Sequence, residues 1–237
     1  MHLTQLKTNN KMKIDLGFGV ANMSGSIGGV TSARNKNGMY LRNRSVPINP
    51  QTASQLGVRA VLTQLAQQWA TLTAAQRTAW DTAVGSFATS NSFGTSHPLS
   101  GIALFVKCNS NILHAGGSVI LVPPAAATES AITALSLTSV HAGATTVTYT
   151  PTPVPANTAY QVRMTSNVSA GITFVKNHYR TIAYLAPAAA SPYVATTAWN
   201  AKFGSPVAGS QIWVSVRSVG LLTGFLSTPL VASAIVS

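Results

Sequence analysis

The sequence predicts an α+β protein, with an N-terminal β-hairpin plus helical body followed by a C-terminal antiparallel β-sandwich. Three observations predict it. A turn signal, Asn37-Gly38, separates two short runs of strand character. Two apolar stripes at helical spacing follow, with a capping pattern between them. Beyond residue 128 the texture changes to short alternating runs divided by Gly, Pro and Asn.

Each element follows from local chemistry. Residues 28–34 and 39–46 form the hairpin strands, because Asn-Gly accepts the positive φ of a tight turn. Along the second strand Tyr40, Arg42 and Arg44 share one face, and Met39, Leu41 and Asn43 the other. Asn49 is expected to cap the first helix, with Pro50 at the first helical position. Val58, Leu62, Leu65 and Trp69, spaced four, three and four apart, form its inward stripe. Thr73 and Gln76 make a capping box for a second helix that turns Trp80, Val84 and Phe87 inward. So short a link predicts that these two helices pack antiparallel. Ser100 caps a third helix, which Gly116 and Gly117 close, and 119–122 reads as a short β-like run.

In the C-terminal half, strands are expected at 131–140, 145–149, 159–166, 180–185, 211–219 and 225–236, with a short inserted helix at 191–203 ending on Gly204. About seven short strands over roughly 110 residues are the signature of an immunoglobulin-like sandwich. The expected organisation is therefore an extended basic arm at 1–24, a hairpin and three-helix domain at 25–122, a Pro/Ala linker at 123–127 and a sandwich at 128–237. The Gly-rich arm carries Lys7, Lys11 and Lys13; it either laces onto a neighbouring subunit or nucleic acid, or is a floppy terminus.

Composition narrows the function classes. Fifteen Lys and Arg face only three acids, Asp15, Asp81 and Glu129, for a net charge of +12. An acidic partner follows, either nucleic acid or a negatively charged protein surface. Only 8% of residues are charged, whereas an ordinary globular domain has about a quarter. A surface of Ser, Thr, Asn, Gln and Ala suits proteins buried in large assemblies or exposed outside cells. One cysteine, Cys108, excludes an intramolecular disulfide framework and a multi-cysteine metal site, and its apolar setting predicts a buried hydrophobe. The N-terminus lacks the apolar run of a signal peptide, and no stretch is pure enough to span a bilayer, so no membrane contact is expected.

Catalytic groups are scarce. His2, His97, His114, His141 and His178 stand singly, without ligand-spaced partners, so no metal or other cofactor is expected. Paired-carboxylate catalysis is nearly excluded by three dispersed acids, and no nucleophile elbow occurs. The glycine-rich GFG and SIGG segments lack the Lys-Ser/Thr ending of a phosphate loop. One cluster offers binding chemistry: Arg34, Lys36, Arg42 and Arg44 around Tyr40, which could grip phosphates. A protein–protein contact or a solvated hairpin is the preferred reading, because a hairpin presents few charges in one plane.

The run R-N-x-x-G-x-Y-x-R-x-R-x-x-P-x-N-P-x-T-x-x-Q, Arg34 through Gln55, resembles a family of uncharacterised bacteriophage and prophage proteins. The runs at 72–80 (LTAAQRTAW) and 99–109 (LSGIALFVKCN) look like its next two blocks. Gln51 departs from the commoner pattern, in which Arg follows Asn-Pro. The resemblance implies a fibronectin type III-like or immunoglobulin-like C-terminal half and a place in the virion. The expected function is thus a non-enzymatic structural protein, a capsid decoration or minor head protein made in the host cytoplasm. Its arm and hairpin would touch the major capsid protein, other virion proteins or a further copy of the chain. Neck, vertex or tail placement is one alternative, and nucleic-acid binding through the basic hairpin is another.

Overall fold

A computed structural model describes residues 11–13, 23–36, 38–44, 49–87, 89–90, 96–97, 99–125 and 129–237. The chain is α+β, with four α-helices and antiparallel sheets among the described residues. It groups into two compact units, Met1–Leu56 with Ala88–Pro98, and Gly57–Phe87 with Leu99–Ser237. The expected boundary at 123–127 falls inside the larger unit, and residues 126–127 of it lie outside the described residues.

The smaller unit is built on a four-stranded sheet of β1 (Lys11–Lys13), β2 (Gly25–Ile27), β3 (Val30–Asn35) and β4 (Gly38–Asn43), ordered β1-β4-β3-β2. The hairpin forms where expected, but Asn35 pairs with Gly38, so Gly38 opens the second strand rather than lying in the turn. Gly38 takes φ 104°, the conformation that only glycine adopts at no steric cost. Strand β1 shows that three residues of the expected arm are sheet. The rest of 1–22 lies outside the described residues. A second small pairing joins β5 (Thr89–Ser90) to β6 (Ser96–His97).

The first helix, α1, spans Ala53–Thr71 and starts three residues later than Asn49-Pro50 implies. Thr52 caps it: the Gln55 N–H donates to Thr52 Oγ1, and Gln55 Oε1 accepts from the Thr52 N–H, both at 3.3 Å. Gln51, at φ 49°, breaks the backbone just before that cap. Of the predicted inward stripe, Leu65 is buried and Trp69 half-buried, whereas Val58 and Leu62 are exposed. The second helix, α2 (Ala74–Ala83), has the expected Thr73–Gln76 capping box. It packs along α3 (Gly101–His114) rather than along α1, because Phe105 of α3 takes up both tryptophans. The Trp80 ring meets Phe105 edge-on at 5.3 Å, and Trp69 lies 5.5 Å from it. Asp81 Oδ1 accepts the Gly101 N–H at 3.0 Å, which places a carboxylate at the positive end of α3.

Residues 119–122 are not a strand. They are held as a loop by side chains: Asn109 pairs with both the N–H and the carbonyl of Ile120, and Trp80 Nε1 donates to Leu121 O at 3.0 Å. The core of this part comprises Leu65, Leu72, Trp80, Val84, Leu104, Phe105 and Cys108.

Seven strands follow: β7 (Ala134–Ser139), β8 (Thr145–Thr150), β9 (Thr158–Met164), β10 (Arg180–Leu185), β11 (Tyr193–Val194), β12 (Gln211–Gly220) and β13 (Leu230–Ile235). They form two antiparallel sheets, β11-β8-β7 and β10-β9-β12-β13. One apolar cluster serves both. Leu137, Val147 and Tyr149 from the first sheet join Tyr160, Met164 and Val214 from the second. Tyr149 and Tyr160 meet edge to face at 5.2 Å. The inserted helix is present as α4 (Thr196–Phe203), ended by Gly204 at φ 84°, while the two residues before it that pair as β11 were not foreseen. Trp199 of α4 is fully buried and donates Nε1 to Thr165 O at 2.9 Å.

The larger unit is tied together at one seam. Asn111 of α3 donates to the Gly224 carbonyl at 2.8 Å, and Phe87 stacks on Phe225 at 5.1 Å. No helix among the described residues is long and apolar enough to cross a membrane.

Candidate binding surface

The smaller unit's sheet carries most of the predicted contact residues. Its register pairs Lys11 with Arg42 and Lys13 with Tyr40, so the lysines of the arm and the hairpin cluster belong to one sheet. This was not readable from the sequence, which fixes spacing along a strand but not which strand lies beside it. Arg42 also pairs with Thr31, and Tyr40 with Ala33. Arg42 is exposed and Tyr40 half-buried. No acidic residue stands in the described part of this sheet.

The remaining predicted residues are dispersed around that pair. Arg34 pairs with Met39, and its alternation places it on the sheet face opposite Tyr40 and Arg42. Lys36 is exposed in the hairpin loop. Arg44 is exposed just past β4, with its backbone N–H bonded to Gly29 O at 2.7 Å. Lys7 lies outside the described residues. The hairpin thus splits its cations between two faces, and β1 restores the density of the Tyr40–Arg42 register.

The other face was missed. A groove of about 700 Å³ opens there, lined by Met23, Ile27, Val30, Ser32 and Leu41. Ile27 is 84% exposed, which leaves a large apolar side chain at its rim. The alternation of Val30 with Ser32 and of Met39 with Leu41 held the signal, but the contribution of β2 required the tertiary pairing.

Elsewhere, the expected burial of Cys108 is met. That burial pushes its thiol up to about 11. His141 Nδ1 lies 2.7 Å from Pro206 O, a structural contact. Among the described residues no three His, Cys, Asp or Glu side chains group as metal ligands.

No family model matches the chain, and no curated protein matches it significantly.

Proposed function

We propose that this chain is a non-enzymatic structural component of a bacteriophage particle, a capsid decoration or minor head protein. In this reading the N-terminal residues and basic sheet hold it to an acidic surface of the shell or to another copy, and the two-sheet body, read as an immunoglobulin-like sandwich, projects. The observation that carries the binding role is the opposition of Lys11 to Arg42 in a sheet with no described acid. A sheet that gathers basic positions without an acid among its described residues suits an anionic surface. The resemblance of 34–55, 72–80 and 99–109 to phage and prophage proteins supports the particle assignment.

The test is quantitative mass spectrometry of purified particles of the parent virus. A copy number near that of the major shell protein is expected for decoration. A count of a few to about a dozen would move the chain to a neck, vertex or tail, where symmetry allows few positions. Deleting 1–24 should release the protein from particles, and attachment should weaken as salt screens the contact.

A second reading, nucleic-acid binding, is favoured by the same register, since Lys11, Arg42 and Tyr40 combine cations with an aromatic ring. It predicts steeply salt-dependent DNA affinity that falls when Arg34, Lys36, Arg42 and Arg44 are changed to Ala. Absence from particles together with that salt slope would put this reading first.

A further inference from the structure

The β10-β9-β12-β13 sheet has a second face that core packing does not use. Val162, Met164, Val214 and Val216 are buried in the shared core, so the alternating residues lie on the opposite face, where Gln161 is buried and Arg163, Trp213 and Arg217 are half-buried. The register sets Arg163 against Ser215 and Arg217 against Gln161, which brings two guanidinium groups together diagonally on neighbouring strands. Arg217 Nε donates to Gln161 Oε1 at 2.6 Å, and Gln161 Nε2 donates to the Tyr184 hydroxyl at 2.6 Å. That hydroxyl oxygen is therefore an acceptor already in use, and its own proton is left to donate. The Arg163 guanidinium stands 5.7 Å over the Tyr179 ring.

Among the described residues no oxygen accepts from the Arg163 guanidinium or from the terminal nitrogens of Arg217. The described acids are engaged elsewhere, Asp81 with the Gly101 N–H and Glu129 with the Thr223 hydroxyl. Burial lowers the pKa of Arg217 and the charge of Arg163 lowers it further, with Tyr184 acting in the opposite direction. The indole N–H of Trp213 is also buried without an acceptor. Beside the two arginines the free hydrogen-bonding capacity is on the donor side, whereas Gln211 Oε1, farther along β12 on the same face, is a buried acceptor without a partner. Next to the arginines the face turns apolar: Trp213 is half-buried, and Val231 and Ile235 of β13 are 46% and 61% exposed.

We propose that this face docks a different protein through that partner's carboxylate side chains, with Arg163 and Arg217 as the forks and Tyr184 as an added donor. Trp213, Val231 and Ile235 form the apolar anchor beside them. Guanidinium forks match carboxylates two bonds at a time, and Trp, Tyr and Arg are the residues that dominate protein interfaces. A second copy of this chain does not fit as the partner. It has three acids in all, two of them engaged internally. A saccharide fits less well, because the Tyr179 ring already carries Arg163. The proposal does not rest on the particle assignment, and it involves no residue of the basic sheet.

The test uses the full chain, isotope-labelled, titrated with a short poly-glutamate peptide at low salt while the arginine Nε–H signals are followed by NMR. The Arg163 and Arg217 signals should move, and R163Q/R217Q should weaken the peptide by about tenfold or more. R42Q/R44Q should leave those shifts unchanged, which separates this face from the basic sheet. Stationary wild-type signals, or unchanged affinity in R163Q/R217Q, would overturn the proposal. Tighter binding of heparin to the same two signals would overturn it in favour of a sulfated saccharide. Should R163Q/R217Q unfold, the wild-type shifts decide, together with R163K/R217K, which keeps the charge and is expected to weaken binding by loss of the forks.

Discussion

At the scale of single residues, one glycine and one asparagine fix the backbone at two places in the larger unit. Gly224 takes φ 72°, and a Cβ there would lie 2.3 Å from the Cys108 carbonyl oxygen. Gly224→Ala combines a left-handed backbone with a backbone clash, so it should cost at least about 2 kcal/mol in denaturant unfolding. Asn109 acts as a substitute for a missing strand partner, pairing both backbone groups of Ile120 from a fully buried position. Cys108 illustrates the pH consequence of burial. Its folded pKa of about 11 lies above the ordinary 9, so its contribution is fully present below pH 9 and is lost as pH rises through 11. At pH 8 the native thiol should resist a thiol-reactive dye and should label only on unfolding; rapid native labelling would contradict the burial. Burial also raises Tyr149 and Tyr160, which places their loss of stability at alkaline pH as well.

At the scale of elements, α1 best separates pattern from packing. Its four-residue stripe reads as one buried face, yet Leu65 is fully buried while Leu62 is 45% exposed. Leu65→Ala should cost about 2–5 kcal/mol, as for a buried leucine, whereas Leu62→Ala should stay within about 0.5 kcal/mol. Equal losses in chemical denaturation would restore the stripe as read from spacing. Periodicity states which residues could face inward together. How far along the helix a neighbour extends is decided by that neighbour, here the Phe105 side chain that meets Trp69 and Trp80. Capping was more legible: Thr73 and Ser100 cap where their sequences place them, because a cap is made within four residues. The first cap was missed by three positions because Asn49-Pro50 and Thr52–Gln55 are both adequate local signals.

At the scale of the whole molecule, the helical part of the larger unit and its two sheets share interior contacts across 123–127. Phe87 stacks on Phe225, and Asn111 holds Gly224. Residues 129–237 produced alone should therefore melt several degrees below the same residues in the full chain, since each kcal/mol lost shifts the midpoint by about 4–8 °C in a domain near this size. An unchanged midpoint would mean that the seam adds nothing. Composition gave no hint of this seam, because Pro123-Pro124 and the alanines after them have the character of a linker whichever way the flanking parts pack.

By itself the sequence determined the α+β class, the hairpin, four helices and the positions of six strands, because each depends on periodicity, caps and turns within a dozen residues. It also determined the chemical character of the chain: basic, poor in acids and sparse in charge. Only the tertiary structure decided which strands are neighbours, and hence which cations meet. Lys11 is paired with Arg42 and Arg163 stands diagonal to Arg217 through sheet register, and for the two arginines that long-range choice is made by the burial of the opposite face. A strand pattern names its two faces, and only its neighbours give a face a function.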